Sequence, residues 1–219
     1  QALLEKARGG ILFIDEAYSL DKKDSGADFG IEAINTILKF MEDNRDDIMI
    51  IFAGYTKEMD GIIASLEGRP RLLLHACCAP CSSAVLELLD RHFELTIFYY
   101  NPNIAPDEKY HRREQELECF LEQAGYPHIT LIEPEYDPAE FYAAARGLEQ
   151  EPEKGERCTA CYKLRLEKTA KYAAENGFPW FTTTLSISPV KDPVRINSIG
   201  SEMAEKYGVS FLTSEFRKR

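Results

Sequence analysis

Six cysteines stand in the sequence, and five of them fall into two short clusters. Arg71-Leu-Leu-Leu-His-Ala-Cys-Cys-Ala-Pro-Cys-Ser82 places Cys77, Cys78 and Cys81 directly after an apolar run that reads as a buried strand. Arg157-Cys-Thr-Ala-Cys-Tyr-Lys-Leu-Arg165 adds Cys158 and Cys161. Thiolates are strong donors to iron and zinc, and two residues between ligands let both sulfurs bend toward one centre. Two C-x-x-C pairs, one preceded by an extra cysteine, therefore point to a soft-metal or iron–sulfur pocket. A four-cysteine zinc site is the chemical alternative, weakened by the adjacent Cys77-Cys78 and by the lack of Gly after either pair. A thiol–disulfide exchanger fits less well, because a single pair at a helix start would suffice.

The rest of the chain must bring these sulfurs together. Its 219 residues can hold one large domain or two small ones, and 44% hydrophobic with 29% charged residues is ordinary for a globular protein. No apolar run approaches the roughly 18 residues of a membrane helix, and no signal peptide precedes the first strand, so a cytoplasmic protein without a membrane partner is expected. In a reducing compartment the cysteines are expected as ligands or redox groups rather than disulfides. The net charge of −11 argues against broad nonspecific affinity for nucleic acid, while leaving room for a local basic patch.

Up to about Arg69 the pattern is a strand at Gly9-Gly-Ile-Leu-Phe-Ile-Asp-Glu16, a helix from Ile31 to Glu42, a strand at Ile48–Ala53 and a helix from about Lys57 to Leu66. Gly9 to Leu20, with Asp28-Phe-Gly30, Met41-Glu-Asp-Asn-Arg45 and Ala53-Gly-Tyr55, resembles the AAA+ ATPases of the CbbX and stage V sporulation protein K type. The resemblance implies that Asp15 and Glu16 end a Walker B strand. No G-x-x-x-x-G-K-S/T stands anywhere, so neither the amide nest nor the lysine that hold ATP phosphates is present. Residues 1–69 are therefore expected to be a partial AAA+ segment without ATPase activity, and an adaptor role within an ATPase ring is the non-enzymatic alternative.

From Arg71 onward strands alternate with helices. Strands are expected at Arg71–Ala76, Leu95–Tyr100, Ile129–Ile132, Trp180–Thr184 and Val209–Thr213, and helices from Ser83, Asp107, Asp137-Pro138, the Cys158 pair and Asp192-Pro193. Tyr110, Leu117, Leu121 and Ala124 form one helical stripe. Asp before Pro marks two helix starts, and Gly marks three helix ends. The order implies parallel βαβ connections and an α/β sheet. Ligands of such sheets sit beyond the carboxyl ends of the strands. Cys77 and Cys78, Asn101-Pro-Asn103 and Ser186-Ile-Ser188 thus share one rim, and the Cys158 pair starts a helix whose N-terminus favours thiolate. Cys119, mid-helix, is expected to be a partly buried spectator.

The motifs Leu74-His-Ala-Cys-Cys-Ala-Pro-Cys81, Tyr100-Asn-Pro-Asn-Ile104, Tyr110-His-Arg-Arg113, Gly147-Leu-Glu149, Glu151-Pro-Glu153, Arg157-Cys-x-x-Cys161, Leu164-Arg-Leu166 and Thr182-Thr-Thr-Leu-Ser-Ile-Ser-Pro-x-Lys191 together resemble epoxyqueuosine reductases of the QueH type. The resemblance, over residues 70–219, implies an α/β domain like the adenine-nucleotide α-hydrolase (HUP) folds. It implies a 4Fe–4S cluster on Cys77, Cys78, Cys158 and Cys161, with Cys81 serving an additional iron. It also implies reduction of epoxyqueuosine to queuosine at the wobble position of tRNA, with electrons from an unidentified donor. Cys81, Tyr110 and Arg113 are then expected at the reacting group, and Asn101, Asn103, Arg165, Ser188 and Lys191 at the substrate. A further cysteine-containing stretch beyond Arg219 is implied, bearing on cluster protection, electron relay or tRNA grip.

Overall fold

The computed structural model of the chain describes residues 2–14, 36–37, 39–40, 43–44, 48–52, 57–188, 190–213 and 216. They fall into two compact units that meet in sequence at Asp60 and Gly61.

In the first unit a short helix, α1 (Ala2–Lys6), precedes β1 (Gly10–Ile14), which pairs in parallel with β2 (Ile48–Phe52). Both strands lie where their apolar runs place them. Of the helix expected over 31–42, residues 36–37 and 39–40 are helical, and the Asp15-Glu16 pair lies outside the described residues. A helix, α2 (Lys57–Ala64), follows β2 in the chain.

The second unit is an all-parallel sheet of five strands: β3 (Arg71–His75), β4 (Glu94–Phe98), β5 (Thr130–Ile132), β6 (Trp180–Thr183) and β7 (Ser210–Phe211). The spatial order is β5-β4-β3-β6-β7. Leu72, Leu73 and Leu74 of β3 are all fully buried, as a central strand covered on both faces requires. Each such leucine contributes roughly 1.5–3 kcal/mol through its burial.

The helices are α3 (Ala79–Leu89), α4 (Asp107–Gln123), α5 (Pro138–Ala144), α6 (Glu156–Glu175) and α7 (Pro193–Tyr207). Asp137 caps α5 by accepting from the Ala139 N–H, and Asp192 caps α7 by accepting from the Arg195 N–H. Gly208 closes α7 at φ +67, a backbone conformation that a side chain disfavours. On α4, Tyr110, Leu117 and Leu121 are buried as expected, whereas Ala124 is exposed where the chain turns into Gly125. The α6 and α7 faces close over the sheet around Leu73, Phe98, Tyr162, Leu166, Phe181, Ile196, Met203 and Phe211.

Several boundaries differ from expectation, among them the end of β4, which stops at Phe98 rather than Tyr100. β7 is shorter than the apolar run at 209–213, since only Ser210 and Phe211 pair with β6. The α3 helix starts before Ser83, with Cys78 as N-cap and Pro80 in its first turn. Proline there has a suitable φ and loses no helical hydrogen bond.

The connectivity fixes the place of the site. From β3 the chain builds outward to β4 and β5 on one side, then returns to β6 and β7 on the other. Such a reversal opens a crevice at the carboxyl ends of the two strands that flank it. Here those ends are His75 and Thr183, paired in register, and the first cysteine cluster follows His75 directly.

Candidate metal centre

The Ala76 N–H extends the ladder by donating to the Phe98 carbonyl at 3.1 Å, after which the chain leaves the sheet. Cys77 is next, Cys78 caps α3, and Cys81 lies in the first turn of that helix. The three sulfurs lie within 4.8 Å of one another, with Cys77 Sγ and Cys78 Sγ 3.8 Å apart. Thr184 Oγ1, from the turn after β6, is 3.9 Å from Cys77 Sγ. Hydrogen bonds from Cys78, then Cys81, hold the Cys77 thiol well below its usual range against the opposing effect of burial, and Arg165 and His75 act in the same direction. Those same contacts push Cys78 and Cys81 up. The trio thus takes one negative charge readily and resists more. A metal cation in place of the shared protons lets all three act as thiolates.

Beneath the trio lies a buried polar network. His75 meets Thr183 Oγ1 at 2.8 Å through Nδ1 and the Tyr100 carbonyl at 3.0 Å through Nε2. Arg165 Nε approaches His75 Nε2 at 3.3 Å, and Arg165 Nη2 donates to Asn101 Oδ1 at 2.5 Å. Asn101 Nδ2 in turn donates to the Ala76 carbonyl at 2.9 Å. Burial, aided by the Arg165 charge, lowers the His75 pKa to about 3, so the ring is neutral. The network fixes the residues on either side of the turn into Cys77.

The second pair is placed by α6. Its N-cap is Gly155, where a Cβ would stand 2.5 Å from Glu151 Oε2 and 2.9 Å from the Pro152 carbonyl oxygen. Arg195 braces the start of the helix, donating at 2.8 Å to both the Lys154 carbonyl and Thr159 Oγ1. Cys158 lies in the first turn, 4.0 Å from Glu153 Oε1. Cys158, Cys161 and Arg165 recur at helical spacing and share one stripe, with Cβ atoms one turn apart separated by about 5–6 Å. Since Arg165 reaches His75, that stripe is turned toward the end of β3. The sulfurs that lie mutually within 4.8 Å are those of Cys77, Cys78 and Cys81, and Cys158 and Cys161 are outside that group.

The other expected site residues divide into two sets. Asn101 and Arg165 are fully buried, at 0% and 2% exposure, and serve the network rather than facing solvent. Tyr110 is buried too: its hydroxyl donates to the Tyr99 carbonyl at 3.2 Å and its ring stacks on Tyr136 with centroids 4.0 Å apart. Asn103, Arg113, Ser188 and Lys191 are half-buried. The Lys191 ammonium stands 5.7 Å from the centre of the Tyr162 ring. Cys119 is exposed rather than partly buried, 3.0 Å from Gln123 Nε2. Thr184 and Glu153 stand within the quoted motifs without being expected as site residues, and Arg195 lies outside those motifs. Thr184 could have been found from its place just after β6, while Arg195 carries no local signal.

Five cysteines on two helix starts, with three sulfurs already clustered, suit an iron–sulfur or other soft-metal group. Two buried oxygens on the same rim, Asn103 Oδ1 and Ser186 Oγ, have no protein partner. Such atoms are costly to leave unbonded and suit a bound polar group.

Comparisons with known proteins agree with this architecture. A family model described as epoxyqueuosine reductase QueH matches residues 72–219. A model of the ATPase family associated with various cellular activities (AAA) matches residues 1–75. The chain is similar to the epoxyqueuosine reductase QueH of Staphylococcus epidermidis, 41% identical over 173 residues that cover 75% of this chain and 72% of the relative. It is 48% identical over 141 residues to that of Histophilus somni, covering 64% of this chain and 57% of the relative. With that of Haemophilus influenzae it is 46% identical over 142 residues, with the same shares. The chain thus spans between 57% and 72% of the length of these curated relatives. By its second unit, the chain belongs to the epoxyqueuosine reductase QueH family.

Proposed function

We propose that residues 70–219 form an iron–sulfur reductase domain that converts epoxyqueuosine to queuosine at the wobble position of tRNA. The observation that carries this reading is the cluster of Cys77, Cys78 and Cys81 at the reversal point of the sheet. Cys161 stands one turn before Arg165, which contacts His75 at the end of β3, and this supports bringing the second pair to the same centre. In this reading Cys77, Cys78, Cys158 and Cys161 hold a 4Fe–4S cluster and Cys81 holds an additional iron. The bound metal supplies electrons and a Lewis acid for the epoxide oxygen. The reaction breaks both C–O bonds of the epoxide and forms a C=C bond, consuming two electrons and two protons and releasing water. The electrons come from an external reductant.

The chain's own residues hold and orient the substrate. Arg113, in the second turn of α4, and Lys191, just before α7, are suited to tRNA phosphates, which attract cations regardless of sequence. With a net charge of −11 such contacts are confined to local patches. Asn103 and Ser188, half-buried on the loops after β4 and β6, offer hydrogen bonds to the modified nucleoside. Tyr110 acts at one remove, as a positioning residue that packs the start of α4 against Tyr99 and Tyr136. Residues 1–69 are a partial AAA-like segment that takes no part in the reduction.

The test is an anaerobic incubation of the iron-loaded chain with epoxyqueuosine-containing tRNA and dithionite, read by mass spectrometry of the released nucleosides. Conversion to queuosine is expected, as is its retention when residues 1–69 are removed. A loaded protein that leaves the epoxide unchanged under every reductant tried would sink the proposal.

A further inference from the structure

Arg165 is a permanent cation with 2% of its surface exposed. Its fork meets His75 Nε2 at 3.3 Å and Asn101 Oδ1 at 2.5 Å, and both partners are neutral. Among the described residues no carboxylate lies within ion-pair distance of it, although the sequence holds 37 acidic residues. Burying an uncompensated charge is among the more costly arrangements a fold can hold, and buried charges are normally paired. These two neutral partners meet the guanidinium at Nε and Nη2 without cancelling its charge.

Negative charge is available to it from the sulfurs, whereas the Glu140 carboxylate, which accepts from Tyr100, is paired with Lys168. His75, which Arg165 touches, lies two residues before Cys77, and Cys161 precedes Arg165 by one turn of α6. The guanidinium therefore stands between the strand that delivers the first cysteine cluster and the helix that delivers the second pair. A site of four or five thiolates around iron carries net negative charge, and a fixed cation buried behind it offsets that charge without occupying a coordination position.

We propose that Arg165 is the built-in counter-cation of the cysteine centre, stabilising its anionic and reduced states, and not a contact for substrate. The proposal rests on the reading that the five cysteines form one metal centre. Asn101 and His75 then share a single role, since as neutral partners they hold the guanidinium in place and leave its charge available to the sulfurs. A carboxylate in the Asn101 position would cancel that charge locally.

Two readings on the full chain test this. One is cobalt(II) affinity, followed by the thiolate-to-cobalt charge-transfer band under anaerobic conditions. The other is the midpoint potential of the iron-loaded protein. Arg165→Gln is expected to weaken cobalt binding about tenfold, the scale of one charge acting across a partly screened interior. It is expected to lower the potential by a similar factor, about 59 mV for a one-electron couple. Arg165→Lys should restore most of both, because it keeps the charge and loses only the fork. Asn101→Asp, which leaves Arg165 in place, should shift both readings in the same direction as Arg165→Gln, and it serves where the Gln variant does not fold. The proposal is overturned if these charge-altering variants keep the unaltered affinity and potential. It is equally overturned if Lys and Gln are alike in their damage, which is the mark of a purely structural arginine. Should the unaltered chain show no thiolate–cobalt band and take up no iron, the reading of the centre itself fails and this inference falls with it.

Discussion

Arg165 Nη2 donates to Asn101 Oδ1 at 2.5 Å, joining α6 to the loop that leaves β4. Through Asn101 Nδ2 the connection runs on to the Ala76 carbonyl, one residue before Cys77. The helix of the second cysteine pair and the turn of the first cluster are thus linked by one buried amide. The separation along the chain between the clusters is bridged by side chains that carry no metal-binding chemistry of their own.

Asn101→Ala removes both ends of that link and leaves a guanidinium N–H and a carbonyl without partners in the interior. Unsatisfied buried groups cost about 1–3 kcal/mol each, so a destabilisation of about 2–6 kcal/mol is expected. Urea unfolding of the metal-free chain measures it. A change below about 1 kcal/mol would show that the amide is dispensable.

The two cysteine groups should act as one in holding metal. Cys158→Ser and Cys161→Ser are expected to lower iron content as severely as Cys77→Ser, although they lie on another helix. Cys119→Ser, exposed on α4, should keep the full content. Iron analysis after identical anaerobic loading decides this. Normal iron in the Cys158 and Cys161 variants would confine the site to the trio at 77–81.

Gly155 is held by contact rather than by φ, which is −75°. A Cβ there would meet Glu151 Oε2 at 2.5 Å and the Pro152 carbonyl at 2.9 Å, and the second of these is backbone. Gly155→Ala should therefore displace the start of α6 and cost about 1–3 kcal/mol, as overpacked sites do. Thermal melting reports the cost, and reduced iron uptake reports the displacement of Cys158.

Glu140 accepts from the Tyr100 hydroxyl and pairs with Lys168 Nζ at 3.1 Å. The Tyr100 bond first, and Lys168 after it, hold its carboxyl below the ordinary 4.5. A carboxylate with a depressed folded-state pKa adds stability that is fully present above about 4.5 and is lost as the pH falls through the folded value. Glu140→Gln should lower the melting temperature at neutral pH and flatten the decline in acid. Melting curves across that range check the sign, and an unchanged acid decline would contradict it.

The strands and the helix caps are legible in the sequence because they rest on local signals. The Leu72–Leu74 run, the Asp-Pro starts of α5 and α7 and the closing Gly208 each act through their own backbone. The start of α3 is harder to see, since Cys-Ala-Pro resembles a loop until Pro80 is placed inside the first turn. Spacing picks out the three sulfurs that the structure groups, those of Cys77, Cys78 and Cys81. The resemblance places Asn101 and Arg165 at the substrate, and the structure buries both in the network; their mutual contact joins positions 64 residues apart, which no local signal reveals. The exposure of Cys119 escapes the sequence too, because its place at the margin of the α4 stripe does not say how far the neighbouring elements cover it.

The most direct test of the metal centre is iron and acid-labile sulfide per chain after anaerobic reconstitution, with visible spectra taken before and after dithionite. A brown protein with matched iron and sulfide, bleached on reduction and lost in both Cys77→Ser and Cys158→Ser, is the result the account predicts. A colourless chain holding one tightly bound zinc would contradict it.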